Sequence, residues 1–265
     1  MGLAMLGAVS QGILWGVMVL GVFITYKLLD IADLTVDGSF ALGGSVCAVL
    51  VVSGVDPVLA IFAAMLAGMI AGAVTGFLHT VFEIPAILAG ILTQIALWSV
   101  NLRIMGKSNT PLLRVDTLFS SVTDATGLPQ NVASIIVGLI FAVLIIVALY
   151  WFFGTEIGSA CRATGNNEAM VRALGVDTKV TKMIALTLSN GLVGLSGGLI
   201  CESQGYADIG MGTGAIVIGL AAIVIGEVLG RLTPGKLRSF GSRLTAAVVG
   251  SVVYFLIRAI VLQLG

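Results

Sequence analysis

His79 and Glu83 stand one helical turn apart at the end of an apolar run, a spacing that could relay a proton or supply half of a metal site. The same spacing is found at ordinary capped, solvated helix ends, and that reading stands beside it. Cys47, Cys161 and Cys201 show no CxxC or Cys/His spacing of a metal or redox centre. Cys47 and Cys201 fall in or at the end of apolar runs and Cys161 in a polar loop, so all three read as small buried or loop residues. Gly230-Arg-Leu-Thr-Pro-Gly-Lys-Leu237 follows a phosphate-binding-loop pattern until its last place, where Leu237 replaces Ser or Thr. It also follows a membrane-type run instead of a strand, and Pro234 removes a backbone donor, so nucleotide binding and ATP hydrolysis by this chain are not expected. No nucleophile and base pair up, and an enzyme is not indicated.

Other polar residues sit in or beside apolar runs. Gln94, Asn101, Asn190 and Gln204 could line a path or simply join helices by hydrogen bonds. Glu202 and Asp208 are expected at an outer mouth, and Arg258, deep in an apolar run, is expected to snorkel or to pair at a contact between copies.

The elements that position these residues follow from composition. Hydrophobic types make up 58% of 265 residues and charged types only 10%, against roughly a quarter charged in a soluble domain. Apolar runs long enough to cross roughly 30 Å of hydrocarbon recur along the chain, so the bilayer is its solvent and helices must span it. The expectation is an all-α polytopic membrane protein, one membrane domain over residues 1–265 with about eight spans. These run Leu6 to Leu29, Ser39 to Val55, Pro57 to Phe82, Pro85 to Arg103, Val132 to Phe153, Met183 to Glu202, Gly214 to Leu229 and Leu244 to Leu264. The first basic residue, Lys27, follows the first run, so that run reads as a retained span and not as a signal peptide.

Placing residues 154–182 in the cytoplasm puts Lys27, Arg162, Arg172, Lys179, Lys182, Arg231, Lys236, Arg238 and Arg243 inside. Only Arg103, Lys107 and Arg114 then lie in an outside loop. That asymmetry satisfies the positive-inside rule and puts both termini outside. Trp15, Trp98 and Trp151 are placed either as interface anchors or as core filling. Thirteen basic and thirteen acidic residues cancel, and no basic stripe with interleaved aromatics suggests nucleic acid. Gly68, Gly72 and Gly76 line one face of the third span, the mark of a helix packed closely in a bundle.

Two segments echo each other. Ala32-Asp-Leu-Thr-Val-Asp-Gly-Ser39 follows the first span and Ala207-Asp-Ile-Gly-Met-Gly-Thr-Gly214 the sixth, and each opens one of the two shortest spans. Short, Gly-interrupted segments at matching places in two inverted-topology halves are expected beside a transport path. Asp37, Ser39, Gln94, Asn190 and Thr213 are the candidate pathway residues. The alternative is that both segments are ordinary capped helix starts, Asp37 and Ser39 being good N-cap residues.

Between Gly165 and Gly175 the sequence from Asn166 to Leu174 reads as a short helix with an Asn cap and a terminating Gly. Ala169, Met170, Ala173 and Leu174 give it a small apolar face, with Glu168 and Arg172 four apart on another. An apolar face on a projecting helix suits docking to a partner, which a plain solvated connector would not need.

At this point a family resemblance becomes specific. Arg162-Ala-Thr-Gly-Asn-Asn-Glu-Ala-Met-Val-Arg-Ala-Leu-Gly-Val176, with Leu188-Ser-Asn-Gly-Leu-Val-Gly-Leu-Ser-Gly-Gly-Leu199, closely resembles the coupling-helix region of ribose and branched-chain amino acid permeases of bacterial ABC importers. Asp33 to Ser39 resembles their Asp-Leu-Ser-Val-Gly-Ser segment with one extra acidic residue. Asp33 to Phe40, His79, Ile84 to Leu92 and Ser99 to Gly106 look most like a subgroup linked to tryptophan, tyrosine or similar solutes. Compared with ribose permeases, one span is missing at each end.

The resemblance implies an ABC importer permease fold in the bacterial inner membrane, with 154–182 as a cytoplasmic coupling loop. It assigns Gly165, Asn167, Glu168, Ala169, Arg172 and Gly175 to contact with a separate ATPase, which would use ATP and Mg; no cofactor is expected on this chain. It also implies a second permease copy in a homodimer, surrounding membrane lipid, and an extracytoplasmic substrate-binding protein, for which the outer loop Asn101 to Asn131 is a candidate dock. The resulting expectation is a permease for a small solute, an amino acid or relative, aromatic ones included. The alternative is an ion-coupled secondary transporter, which would typically need intramembrane carboxylates, whereas the acidic residues read as clustered at span ends.

Overall fold

Long apolar runs broken by Asp, Pro and Gly leave the backbone one way to satisfy itself in lipid, and the described residues are predominantly helical. A computed structural model describes residues 2–113, 115–232 and 239–264. The elements are α1 (Gly2–Phe23), a π-helical turn (Ile24–Leu28), α2 (Thr35–Val52), α3 (Pro57–Thr80), α4 (Ala86–Met105), β1 (Asn109–Pro111) and α5 (Leu118–Thr126). They continue with α6 (Gln130–Phe152), α7 (Glu156–Asn166), α8 (Glu168–Ala173), α9 (Thr178–Gln204), β2 (Tyr206–Asp208), α10 (Ala215–Leu232) and α11 (Phe240–Leu264). Among the described residues eight helices are long and apolar enough to cross a membrane. The protein is an all-α, multi-pass membrane protein, and α2 and α10, at 18 residues each, are its shortest spans.

Several helix ends fall where a side chain closes them and not where hydropathy changes. The Asp177 carboxylate accepts the Lys179 N–H at 2.9 Å, so α9 begins at Thr178 instead of Met183 and carries Lys179 and Lys182 in its first turns. Asp33 accepts the Thr35 N–H at 2.9 Å, so α2 begins at Thr35 and Asp37 and Ser39 lie inside the helix, not at its cap. Asp56 caps α3 ahead of Pro57, a residue suited to a first helical position.

α9 is the central post. Its face toward α3 meets Gly68 and Gly72, where an added Cβ would collide with the backbone of Asn190 and Leu186, so the glycine ladder does allow close approach. α1 and α2 are also largely buried, whereas α3, α4, α6, α10 and α11 present exposed apolar side chains such as Ile70, Ile95, Leu144, Val217 and Ile257 to the lipid.

The stretches expected as loops are more ordered. Asn101 is buried within α4, and the segment beyond it holds β1, paired antiparallel to β2 with Thr110 opposite Ala207, and α5, closed by a Thr117/Ser120 capping box. Cys161 lies inside α7 and is buried, not in a loop. Arg114, Lys236, Arg238 and the second half of the phosphate-loop-like stretch lie outside the described residues.

Candidate functional site

Asn190 is the thirteenth of the 27 residues of α9, half-way along the post. Its side-chain amide donates to the Asp33 carboxylate at 2.6 Å and to the Leu186 carbonyl at 3.1 Å, while its carbonyl oxygen accepts the Ser39 hydroxyl at 2.7 Å. The Thr35 and Thr75 hydroxyls meet at 2.7 Å beside it. Asp33 and Ser39 are buried, so α2 starts deep in the bundle, near the mid-height of α9, instead of at a membrane surface.

α10 starts at the same place from the other direction. The Asp37 carboxylate accepts the Gly214 and Ile216 N–H groups, each at 2.9 Å, and so closes the open N-terminus of α10. Gly212 lies so close to the Asp37 carbonyl that no side chain would fit there. Asp208 accepts the Gly210 N–H at 2.8 Å, the same Asp-to-second-residue turn that Asp33 makes with Thr35. Two inward-dipping segments therefore bring two helix N-termini together in the interior of the bundle.

Of the candidate pathway residues, Asp37, Ser39 and Asn190 meet in this region. Thr213 is exposed in the turn before α10, its N–H on the Gly210 carbonyl at 3.0 Å, and Gln94 is half-buried on α4, its Cα facing Gly38 of α2. Sequence reasoning placed Asp33 in the repeated segment but gave it no role, and it passed over Thr75, which lies one residue short of Gly76 in an apolar helix and carries no signal of its own. Asn101 donates to the Gly38 carbonyl at 3.4 Å, an interhelical bond.

The expected place of Glu202 is corrected. Glu202 is 1% exposed instead of standing at an outer mouth, because its carboxylate accepts the Leu118 N–H of α5 at 2.8 Å and the Cys47 thiol at 3.4 Å. With Asp33 and Asp37 it shows that acidic residues do enter the bundle, each held by specific donors. His79 and Glu83 do not pair: the His79 ring Nδ1 lies 2.9 Å from the Ile84 carbonyl and Glu83 takes Lys179 at 3.2 Å, so the capped helix end is what forms. Arg258 stays exposed on α11, with its guanidinium over the Phe255 ring at 5.8 Å.

The second cluster lies beyond the span ends. α7 runs on through Gly165, which packs against the backbone at Leu28 too closely for a side chain, so Gly165 is not a boundary and the cap moves to Asn167 from the expected Asn166. The Asn167 side chain accepts the Met170 N–H at 3.0 Å, and α8 ends before Gly175, whose φ of 85° suits glycine.

Glu168 accepts Arg172 at 2.7 Å, the Thr178 hydroxyl at 3.0 Å and Lys182 at 2.7 Å, tying α8 to the base of α9. The Lys182 ammonium, with smaller help from Thr178 and Arg172, holds this carboxyl below the usual carboxylate range against the opposing effect of burial. Val171 is buried as the anchor of α8. Ala169, Met170, Ala173 and Leu174 face outward, Leu174 at 74% exposed.

A family model described as the permease component of branched-chain amino acid transport systems matches residues 4–265. The chain is 38% identical over 191 residues to a tyrosine transport system permease protein of Clostridioides difficile (strain R20291), covering 72% of this chain and 62% of that protein. It is 34% identical over 189 residues to an uncharacterized protein of Rickettsia prowazekii (strain Madrid E), covering 71% and 64%. It is 30% identical over 168 residues to the ribose import permease protein of Escherichia coli (strain K12), covering 62% and 50%. The chain thus spans less than two thirds of the length of each of these relatives. No solved structure matches.

Proposed function

The chain belongs to the family of permease components of branched-chain amino acid transport systems, and from that premise we propose that it is the membrane-spanning subunit of an ABC importer. It is a multi-pass protein of the bacterial inner membrane. The observation that carries the proposal is α8: a capped, six-residue helix beyond the span ends, with an outward apolar face and a tie from Glu168 to Thr178 and Lys182 of α9. An apolar face kept in water is explained by a partner that covers it, here a separate ATPase subunit using ATP and Mg. Gly165, Asn167, Glu168, Ala169, Arg172 and Gly175 then shape and present the contact.

The geometry supports a route for coupling. Lys182 and Asn190 are eight residues apart on one helix, about 12 Å by helical rise, so a push on α8 reaches the meeting point of α2 and α10 through a rigid post. The two inward segments are the matching ends of an internal inverted repeat, and solute passes beside Asp37, Ser39 and Asn190. A second copy of the chain completes the path by two-fold symmetry, and an extracytoplasmic binding protein docks on the face formed by β1, β2 and α5. The tyrosine permease relative favours an amino acid, aromatic ones included, as the solute.

The test is solute uptake and solute-stimulated ATP hydrolysis in liposomes holding this chain with its ATPase and binding protein. Met170→Asp with Leu174→Asp should abolish both while the permease still folds. Uptake by this chain alone, driven by an ion gradient and indifferent to the substitutions, would overturn the proposal in favour of a secondary transporter.

A further inference from the structure

Lys27 of the π-helical turn, Arg162 of α7, Arg231 at the end of α10 and Arg243 in the first turn of α11 converge on the α7 side of the bundle. They line two adjoining cavities of about 330 and 440 Å³ that share Arg243. The carboxylate lining these cavities, Glu227, is taken by Lys27 at 2.9 Å. Among the described residues no carboxylate lies within 4.0 Å of Arg162, Arg231 or Arg243; Arg162 lies instead over the Phe240 ring at 5.5 Å. The cluster therefore holds three positive charges in excess.

The walls matter as much as the charge. The smaller cavity is lined between α10 and α11 by Phe23, Ile223, Ala246 and Ala247, of which Ala246 is the half-exposed member and the other three form a buried apolar floor. Lys27, Arg231 and Arg243 sit where the first and seventh spans end and the eighth begins, with Arg162 of α7 beside them, and span ends are where a leaflet's headgroups lie. Beside them α10 shows exposed Val224 and Val228 to the lipid.

We infer that this is a binding site for an anionic phospholipid, its phosphodiester held by Arg243 with Arg162 and Arg231, and an acyl chain lying along the α10 and α11 wall. Guanidinium forks match phosphate oxygens in pairs, and basic pockets between spans at the headgroup level take anionic lipid. A free phosphate would satisfy the cations but leave the apolar wall bare. Because Arg162 belongs to α7, which leads into α8, the lipid would join the coupling element to the bundle.

The test is lipid retention by the full chain in mild detergent, measured by native mass spectrometry with phosphatidylglycerol against phosphatidylcholine. Wild type should retain phosphatidylglycerol at least about tenfold in preference, and Arg162→Gln with Arg243→Gln should bring the two lipids within about threefold. Ala246→Leu, which keeps every charge and narrows the wall, should also lower retention, and it carries the test if the double variant fails to fold. The inference is overturned if neither variant changes the preference, or if Lys179→Gln with Arg103→Gln, removing equal charge elsewhere, reduces it as much. Full displacement of the lipid by millimolar inorganic phosphate would overturn it too, as would loss of ATPase-subunit binding in the double variant with lipid retention intact.

Discussion

The Asp37 carboxylate of α2 lies 2.9 Å from the Gly214 backbone nitrogen, 177 residues further along the chain, so a side chain of α2 closes the N-terminus of α10. With Asp33 and Ser39 on Asn190, this bond fixes where the two halves of the molecule meet.

Replacing Asp37 by Ala removes two acceptors from the start of α10 and should cost about 1–2 kcal/mol. Asn, which keeps one acceptor, should cost less. Thermal unfolding of the purified protein in detergent ranks the three, and an Ala variant as stable as wild type would show that water or a neighbour replaces the cap.

Asn190→Leu leaves the buried Asp33 carboxylate and Ser39 hydroxyl without their shared partner. A loss of about 1–3 kcal/mol is expected, since a buried carboxylate and a buried hydroxyl each lose a hydrogen-bond partner. Adding Asp33→Leu should cost less than the sum of the two single changes, because the stranded carboxylate goes with it. Additive losses in a double-mutant cycle would contradict the direct coupling.

Glu168 has a folded-state pKa below its ordinary 4.5 because Lys182 and Arg172 favour its charged form. Such a group stabilises the fold fully above its unfolded value and stops doing so as pH falls through the folded value. Amide protection factors across residues 166–176, exchange corrected for its intrinsic rate at each pH, should therefore hold down to roughly pH 5 and fall only below the ordinary carboxyl range. In Glu168→Gln the protection should be lower at neutral pH and flat across that window; a wild type as flat as the variant would count against the tie to α9.

Burial pushes the Cys161 thiol up to about 11, away from the thiolate that alkylating reagents need. At pH 7 a water-soluble maleimide should label Cys161 far more slowly than an exposed cysteine placed at Ser159. Equal labelling rates in the folded protein would mean that α7 opens readily from the bundle.

The sequence by itself determined the membrane as solvent, the eight spans, the glycine face of α3 and the existence of a projecting polar loop. Each depends on composition or on spacing within a few residues, and hydrophobic length and local capping act at that range. The paired Ala-Asp segments and the short second and seventh spans were legible for the same reason. Where Asp37 points was not legible: as a residue close to a helix start it looked like a cap for its own helix, and only the packing of α2 across α10 gave it a different helix to close. Glu202 read as a mouth residue until α5 folded over it and supplied the Leu118 N–H. Gly165 looked like a helix boundary because glycine weakens helices, yet the close approach of the Leu28 backbone needs a residue without a side chain there, and that carries α7 one residue further, to Asn166. Tertiary structure decided these cases because hydrogen-bond partners more than 80 residues apart are chosen by which helices pack together, and no local pattern in the chain records that choice.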